Sequence, residues 1–201
     1  MIKNKKILAI IPARKNSKRI KNKNLIHIND KPLISHTIEE ALKCKYIDKI
    51  VVSTDDKKIA SISKKHGVIV EKLRPAKLSN DVTKTIDVVI YEINELKNKG
   101  EVYDYLILLQ PTSPFRTKKN INEAINLLIK KNAKSIIGVC ETGHPMEWIN
   151  TLNNNHSMNN FVKKKFHGLR SQDLKKNYQI NGAIYLLSIK DLIKKNTFLL
   201  K

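Results

Sequence analysis

The sequence predicts an α/β protein with a mostly parallel sheet and helices on both faces, and three observations carry that prediction. Short apolar runs rich in Ile, Leu and Val alternate with amphipathic helical stretches along most of the chain, the pattern left by βα units joined through right-handed crossovers. The first run is apolar without interruption, as a strand covered on both faces must be. Aromatic residues are only 5% of the 201 residues while 41% are hydrophobic, so the core has to be built from aliphatic side chains. A chain of this length suits a single domain with a small appendage.

Residues 6–13 (KILAIIPA) form the first, central strand. After a polar loop, residues 32–43 place Leu33, Ile34, Ile38, Ala41 and Leu42 on one helical face, with Pro32 suited to the first turn. Lys49–Ser53 is a second strand. Asp55 or Asp56 can cap a helix over 57–66 that Gly67 ends, and 68–70 is a third strand. A helix over 83–96, a strand over 105–109, a helix over 120–131 and a strand over 135–139 follow. From 141 to 180 the alternation gives way to Asn- and Lys-rich sequence around Trp148, read as an inserted arm for dimer contact. Residues 183–187 (AIYLL) return to the sheet, and Ser188 with Asp191 opens the last helix.

A formal net charge of +21 raises the question of a nucleic-acid partner. Lysine is scattered along the chain with Asn and Ile rather than gathered into a patch or module, so no nucleic-acid partner is expected. Positive potential still favours an anionic substrate. Cys44 and Cys140 lie in apolar segments outside any CxxC or Cys/His pattern, and are expected as buried free thiols rather than zinc ligands. No apolar stretch approaches the roughly 20 residues that cross a bilayer, and the run after Lys6 is too short for a signal peptide. A cytoplasmic protein with no membrane partner is expected.

In an open parallel sheet ligands bind beyond the carboxyl ends of the strands, so the loops there carry the chemistry. The first, residues 14–24 (RKNSKRIKNKN), joins cations to amide and hydroxyl donors, a composition that suits a triphosphate as well as a solvated lysine-rich loop. Neither a Walker A sequence nor GxGxxG is present, which disfavours an ordinary ATPase or dinucleotide reader. The second, residues 110–116 (QPTSPFR), is stiffened by two prolines and would turn Gln110, Thr112, Ser113 and Arg116 to one crevice. In the third, residues 73–81 (LRPAKLSND), Arg74 and backbone amides could read the edge of a base. The same segment also reads as a surface turn before a helix capped by Asp81 or Thr83.

Taken together, IPARKNSK and KNKN within 11–24, VSTDD at 52–56, LRPAKLSND at 73–81, LLQPTSPFR at 108–116 and NGAIYLL at 181–187 resemble the acylneuraminate cytidylyltransferase family. Five motifs in order cover almost the whole chain. The resemblance implies a Rossmann-like nucleotidyltransferase fold, CTP and Mg²⁺ as nucleotide and metal, a nine-carbon acidic sugar as acceptor, and a homodimer. It implies that Arg14, Asn16, Ser17, Lys18, Lys23 and Asn24 hold the triphosphate and that Arg74 and Thr85 read cytosine. Gln110, Ser113, Arg116, Arg170, Gln172 and Asn181 would bind the sugar, with Arg14, Lys23 and Gln110 as the catalytic set.

The departures are specific. Asn16 and Arg19 stand where relatives often have glycine, and Ser171 stands where they often have a second arginine. The family's Asp-x-Asp metal segment does not occur before Lys201, so the metal ligands are left unidentified, with Asp55 and Asp56 the available substitutes. The rival readings are a catalytically silent nucleotide-binding relative, or a synthetase for legionaminic, pseudaminic or 3-deoxy-octulosonic acid.

Overall fold

In the computed structural model, which describes residues 5–200, the elements follow the predicted alternation. β1 (Ile7–Pro12) leads through a short hairpin of β2 (His27–Ile28) and β3 (Lys31–Pro32) to α1 (Leu33–Leu42). Asn29 and Asp30, with φ of 47° and 64°, make the hairpin's two-residue turn. Then come β4 (Lys49–Ser53), α2 (Lys57–Lys65), α3 (Thr85–Asn98), β5 (Tyr105–Leu108), α4 (Lys118–Lys131), β6 (Ser135–Glu141), β7 (Tyr178–Ser188) and α5 (Ile189–Lys195).

The main sheet has the order β4-β1-β5-β7-β6. β1 is an interior strand one in from the β4 edge, not the central strand expected, since β5 holds the middle; it is parallel to both neighbours, with Ile10 opposite Val51 on one side and Leu108 on the other. β7 runs antiparallel to β5, with Leu106 opposite Leu187, which is why the sheet is mostly rather than wholly parallel. Successive strand side chains point to opposite faces, and β1 shows it directly. Ile7, Ala9 and Ile11 pack with Ile34, Ile38, Ile59 and Ile125 from α1, α2 and α4. Leu8 and Ile10 pack with Val89, Ile93 and Leu192 from α3 and α5.

Four further expectations about elements need correction. Residues 68–70 are not a strand. Gly67 takes a φ of +81°, the Val68 amide donates to the Ser63 carbonyl and the Gly67 amide to that of Lys64, so α2 ends in a Schellman turn that uses the amide a ladder would need. Leu42 is 48% exposed, because the buried stripe of α1 runs through Ile34, Ile38 and Ala41 and the helix ends there. α3 starts at Thr85 after Lys84 and has no side-chain cap; Asn80 instead accepts from the Val82 and Thr83 amides, which leaves Asp81 free to turn elsewhere. Cys140 is half-buried rather than buried, while Cys44 is buried. Asp56, not Asp55, caps α2 by accepting from the Lys58 amide at 2.7 Å.

The chain divides into two compact units, one of Met1–Gly138 with Gly182–Lys201 and one of Val139–Asn181. The second contains three single 3-10 turns, Met146–Trp148, Lys164–Phe166 and Ser171–Asp173. Its two ends are joined by the Thr142 amide donating to the Asn177 carbonyl at 2.9 Å. Among the described residues no helix is long and apolar enough to cross a membrane.

Candidate active site

The carboxyl ends of β1, β4 and β5 release their loops side by side. Pairing continues one step past the strands, from the Ala13 amide to the Ser53 carbonyl at 2.9 Å and from the Leu109 amide to the Ile10 carbonyl at 3.0 Å. Beyond those ends lies a cleft of about 430 Å³ lined by the 14–24 loop, the 74–85 segment and Gln110–Thr112, within the size range of ligand pockets.

One wall is cationic. Arg14, Lys18, Arg19 and Lys23 line it together with Ser17 and Asn24. Asn24 is buried and its amide donates to the Arg14 carbonyl at 3.0 Å, closing the loop on itself, while the Lys15 amide donates to Asp55. Burial, and then the charges of Arg14 and Arg19, push the Lys23 ammonium below its ordinary value. Like charges held together in this way are relieved by a polyanion. Asn16 is exposed and is not among the residues that line the cleft.

Asp81 stands at this wall and was missed by the sequence reading, which treated it as a helix cap. Its carboxylate lies 2.7 Å from Arg14 Nη2 and 3.6 Å from Lys18 Nζ, while Arg14 Nη1 donates to the Asn80 carbonyl at 2.8 Å. The usable signal was the Asn80–Asp81 pair, since the Asn side chain can make the turn and release the Asp.

The 74–85 segment adds Arg74, Leu78, Thr83, Thr85 and, from α3, Val88 to the lining. The Arg74 side chain is only 3% exposed. Its amide donates to the Thr54 carbonyl and its Nε to Ser79 Oγ, while Nη2 lies 3.7 Å from Asp55 and has no hydrogen-bond acceptor. Burial lowers the pKa of this guanidinium, opposed by the Asp55 charge. A buried donor without an acceptor is costly, and here it lines a cleft that a ligand could fill.

Gln110 and Thr112 reach the cleft, but two partners predicted from the same loop do not line it. Ser113 is half-buried in the turn, its amide directed at the Gln110 carbonyl. Arg116 is turned inward and 5% exposed, donating to the carbonyls of Gln110 and Ala183 and to Thr37 Oγ1. Burial pushes its pKa down to about 10. Nη1 and Nη2 are committed to acceptors of the protein, while the buried Nε has none.

Arg170, Gln172 and Asn181 belong to the second unit. Arg170 is exposed, with Nε 3.6 Å from Asp173. Gln172 lines a pocket of about 360 Å³ in that unit, along with Glu141, His144 and Lys176. Among the described residues no three of His, Cys, Asp and Glu come together to hold a metal ion. Asp55 is engaged with the Lys15 amide and Arg74, and Asp56 with its helix cap.

A mostly parallel sheet with a cationic loop, a buried arginine and a proline-stiffened glutamine at adjoining strand ends defines a nucleotidyltransferase. Residues 8–198 match the family model described as Cytidylyltransferase, and the chain belongs to that family. It is 36% identical over 199 residues to the CMP-N,N'-diacetyllegionaminic acid synthase of Legionella pneumophila, covering 96% of this chain and 82% of that protein. It is 36% identical over 180 residues to the pseudaminic acid cytidylyltransferase of Campylobacter jejuni, covering 90% and 77%. Among solved structures, a CMP:2-keto-3-deoxy-manno-octonic acid synthetase complexed with CTP shares the fold. Its TM-score is 0.68 at 20% identity, over 98% of this chain and 79% of that one.

Proposed function

We propose that this chain transfers CMP from CTP to the anomeric hydroxyl of a nine-carbon acidic sugar of the N-acylneuraminate type, with release of pyrophosphate. The observation that carries the reading is one cleft lined both by a cation cluster and by a buried arginine whose Nη2 has no hydrogen-bond acceptor. A triphosphate answers the cluster. The acceptor atoms on the pairing edge of a cytosine answer Arg74, with Thr85 beside it. The two similar enzymes named above, for legionaminic and pseudaminic acids, support the acceptor class.

In the reaction the sugar hydroxyl oxygen bonds to the α-phosphorus as the bond from that phosphorus to the α,β-bridging oxygen breaks; pyrophosphate leaves with the oxygen and its electron pair, and the hydroxyl proton passes to solvent water. Positioning and electrostatics supply most of the rate in such transfers, so no nucleophilic triad is needed. Arg14 and Lys23 offset charge that builds on the phosphoryl oxygens. Triphosphate binding favours the protonated form of Lys23. Ser17, Lys18 and Asn24 support the phosphates, and Gln110 orients the sugar.

Among the described residues no three of His, Cys, Asp and Glu gather to hold the Mg²⁺ that the resemblance implies; such an ion commonly takes one or two carboxylates, with phosphates and waters filling the rest. The acidic side chain at the cation wall, Asp81, is already engaged by Arg14 and Lys18, so no step is assigned to a metal. The roles of Arg170, Gln172 and Asn181 in sugar binding rest on the resemblance. Loss of acceptor affinity in Arg170→Ala with CTP binding kept is their test.

The direct test offers sialic, legionaminic, pseudaminic and 3-deoxy-octulosonic acids in turn with CTP and Mg²⁺, reading pyrophosphate release beside a CTP thermal shift. Turnover with a nine-carbon acid is expected. Arg14→Ala and Lys23→Ala should each cost roughly 10²–10³ in kcat, the scale of losing one preorganised donor. A CTP shift with no turnover for any acid would replace the reading with that of a nucleotide-binding relative.

A further inference from the structure

Gly182 and Gln110 meet at a contact that no side chain could enter unchanged. Gly182 holds a φ of +74°, and a Cβ placed on it would lie 3.0 Å from Gln110 Oε1 and 3.8 Å from its Cδ. Both obstructing atoms belong to the end of the glutamine side chain, so a substituent here would move the carboxamide. The contact is clamped from below. Arg116 Nη1 donates to the Gln110 carbonyl at 3.1 Å and to the Ala183 carbonyl at 2.8 Å, while Nη2 anchors on Thr37 Oγ1 at 2.8 Å. One buried guanidinium thus ties the backbone of Gln110 to the residue that follows Gly182.

The terminal torsion of a glutamine is broad and roughly two-fold, so its amide points one way only if something limits it. Gly182 supplies a bare backbone floor against the Oε1 end, and Arg116 fixes the height of that floor. We propose that Gly182 and Arg116 are positioning residues that set the Gln110 carboxamide in the cleft. The inference rests on the reading of Gln110 as the group that orients the sugar acid, and extends it to two residues that need not touch substrate.

The test is a mutant cycle. kcat/KM for the accepted sugar acid is measured at saturating CTP in Gln110→Ala, Gly182→Ala and the double variant, with the CTP thermal shift confirming a folded nucleotide site. Gly182→Ala should lose about three- to tenfold in kcat/KM, below the hundredfold scale of a 1 Å misplacement because the clash asks for only a small shift of the carboxamide, with the CTP shift kept. In the Gln110→Ala background the same change should cost less than about twofold, because the side chain it displaces is gone while the strain of alanine at positive φ remains.

Equal losses in both backgrounds would show that Gly182 serves only its own backbone and would overturn the proposal, as would unchanged kcat/KM in Gly182→Ala. If Gln110→Ala itself is silent, or no acid turns over, the reading of Gln110 fails first and the proposal falls with it. Should Gly182→Ala lose the CTP shift, Arg116→Lys takes its place in the cycle, since one ammonium cannot reproduce the planar fork. Its loss must likewise vanish when Gln110 is absent.

Discussion

Lys23 sits half-buried between the charges of Arg14 and Arg19, and those surroundings hold its pKa below the ordinary 10.5. Triphosphate binding needs the charged form. As pH rises through the lowered pKa the free protein gives up this proton, so CTP affinity should begin to fall before an ordinary lysine would titrate. Lys23→Arg keeps its charge across that range and should flatten the alkaline limb in a titration of CTP Kd against pH. A limb unchanged in Lys23→Arg would move the effect elsewhere. Asp81 makes the opposite prediction. Its carboxylate competes with phosphate for Arg14 and Lys18, and pairs this exposed are worth about 0.2–1 kcal/mol. Asp81→Asn should therefore tighten CTP binding by up to about fivefold, and weaker binding would show that Asp81 supports the site instead.

At the scale of elements, the Asp56 cap is the local interaction whose loss is easiest to read. Asp56→Ala should lower stability by about 1 kcal/mol and Asp56→Asn should restore most of it, measured by urea unfolding. The aliphatic strands and a cap from Asp55 or Asp56 are local and were readable from residues alone, whereas the motif loops were read through the family resemblance. What the sequence hid was non-local. Nothing near Arg116 says that a partner will be the carbonyl of Ala183, 67 residues on, so the strut that this loop arginine makes was not foreseen. Residues 68–70 looked like a strand because their composition is right, but the Schellman turn at Gly67 had already taken the Val68 amide. The antiparallel entry of β7 was likewise invisible, since the sheet register of Leu187 against Leu106 depends on the whole path between them.

For the whole molecule, a formal charge of +21 makes attraction of an anionic substrate a general property of the surface rather than of one loop. That field is screened with a Debye length of about 10 Å at 0.1 M salt. kcat/KM for CTP should thus fall with ionic strength while kcat at saturation holds. The second unit carries a different surface signal. Met146, Ile149, Leu152, Met158 and Tyr178 are all exposed within Val139–Asn181. The homodimer that the family resemblance implies would bring a second copy of the chain to these side chains. Burying one such aliphatic side chain contributes about 1.5–3 kcal/mol, so placing charges at two of them should outweigh a modest dimerisation energy. Ile149→Asp with Met158→Asp is expected to shift the mass seen by light scattering from dimer to monomer. The CTP thermal shift should survive, because the residues lining the nucleotide cleft all belong to the other unit. A wild-type chain that stays monomeric at tens of micromolar would remove the second copy as the occupant of that surface.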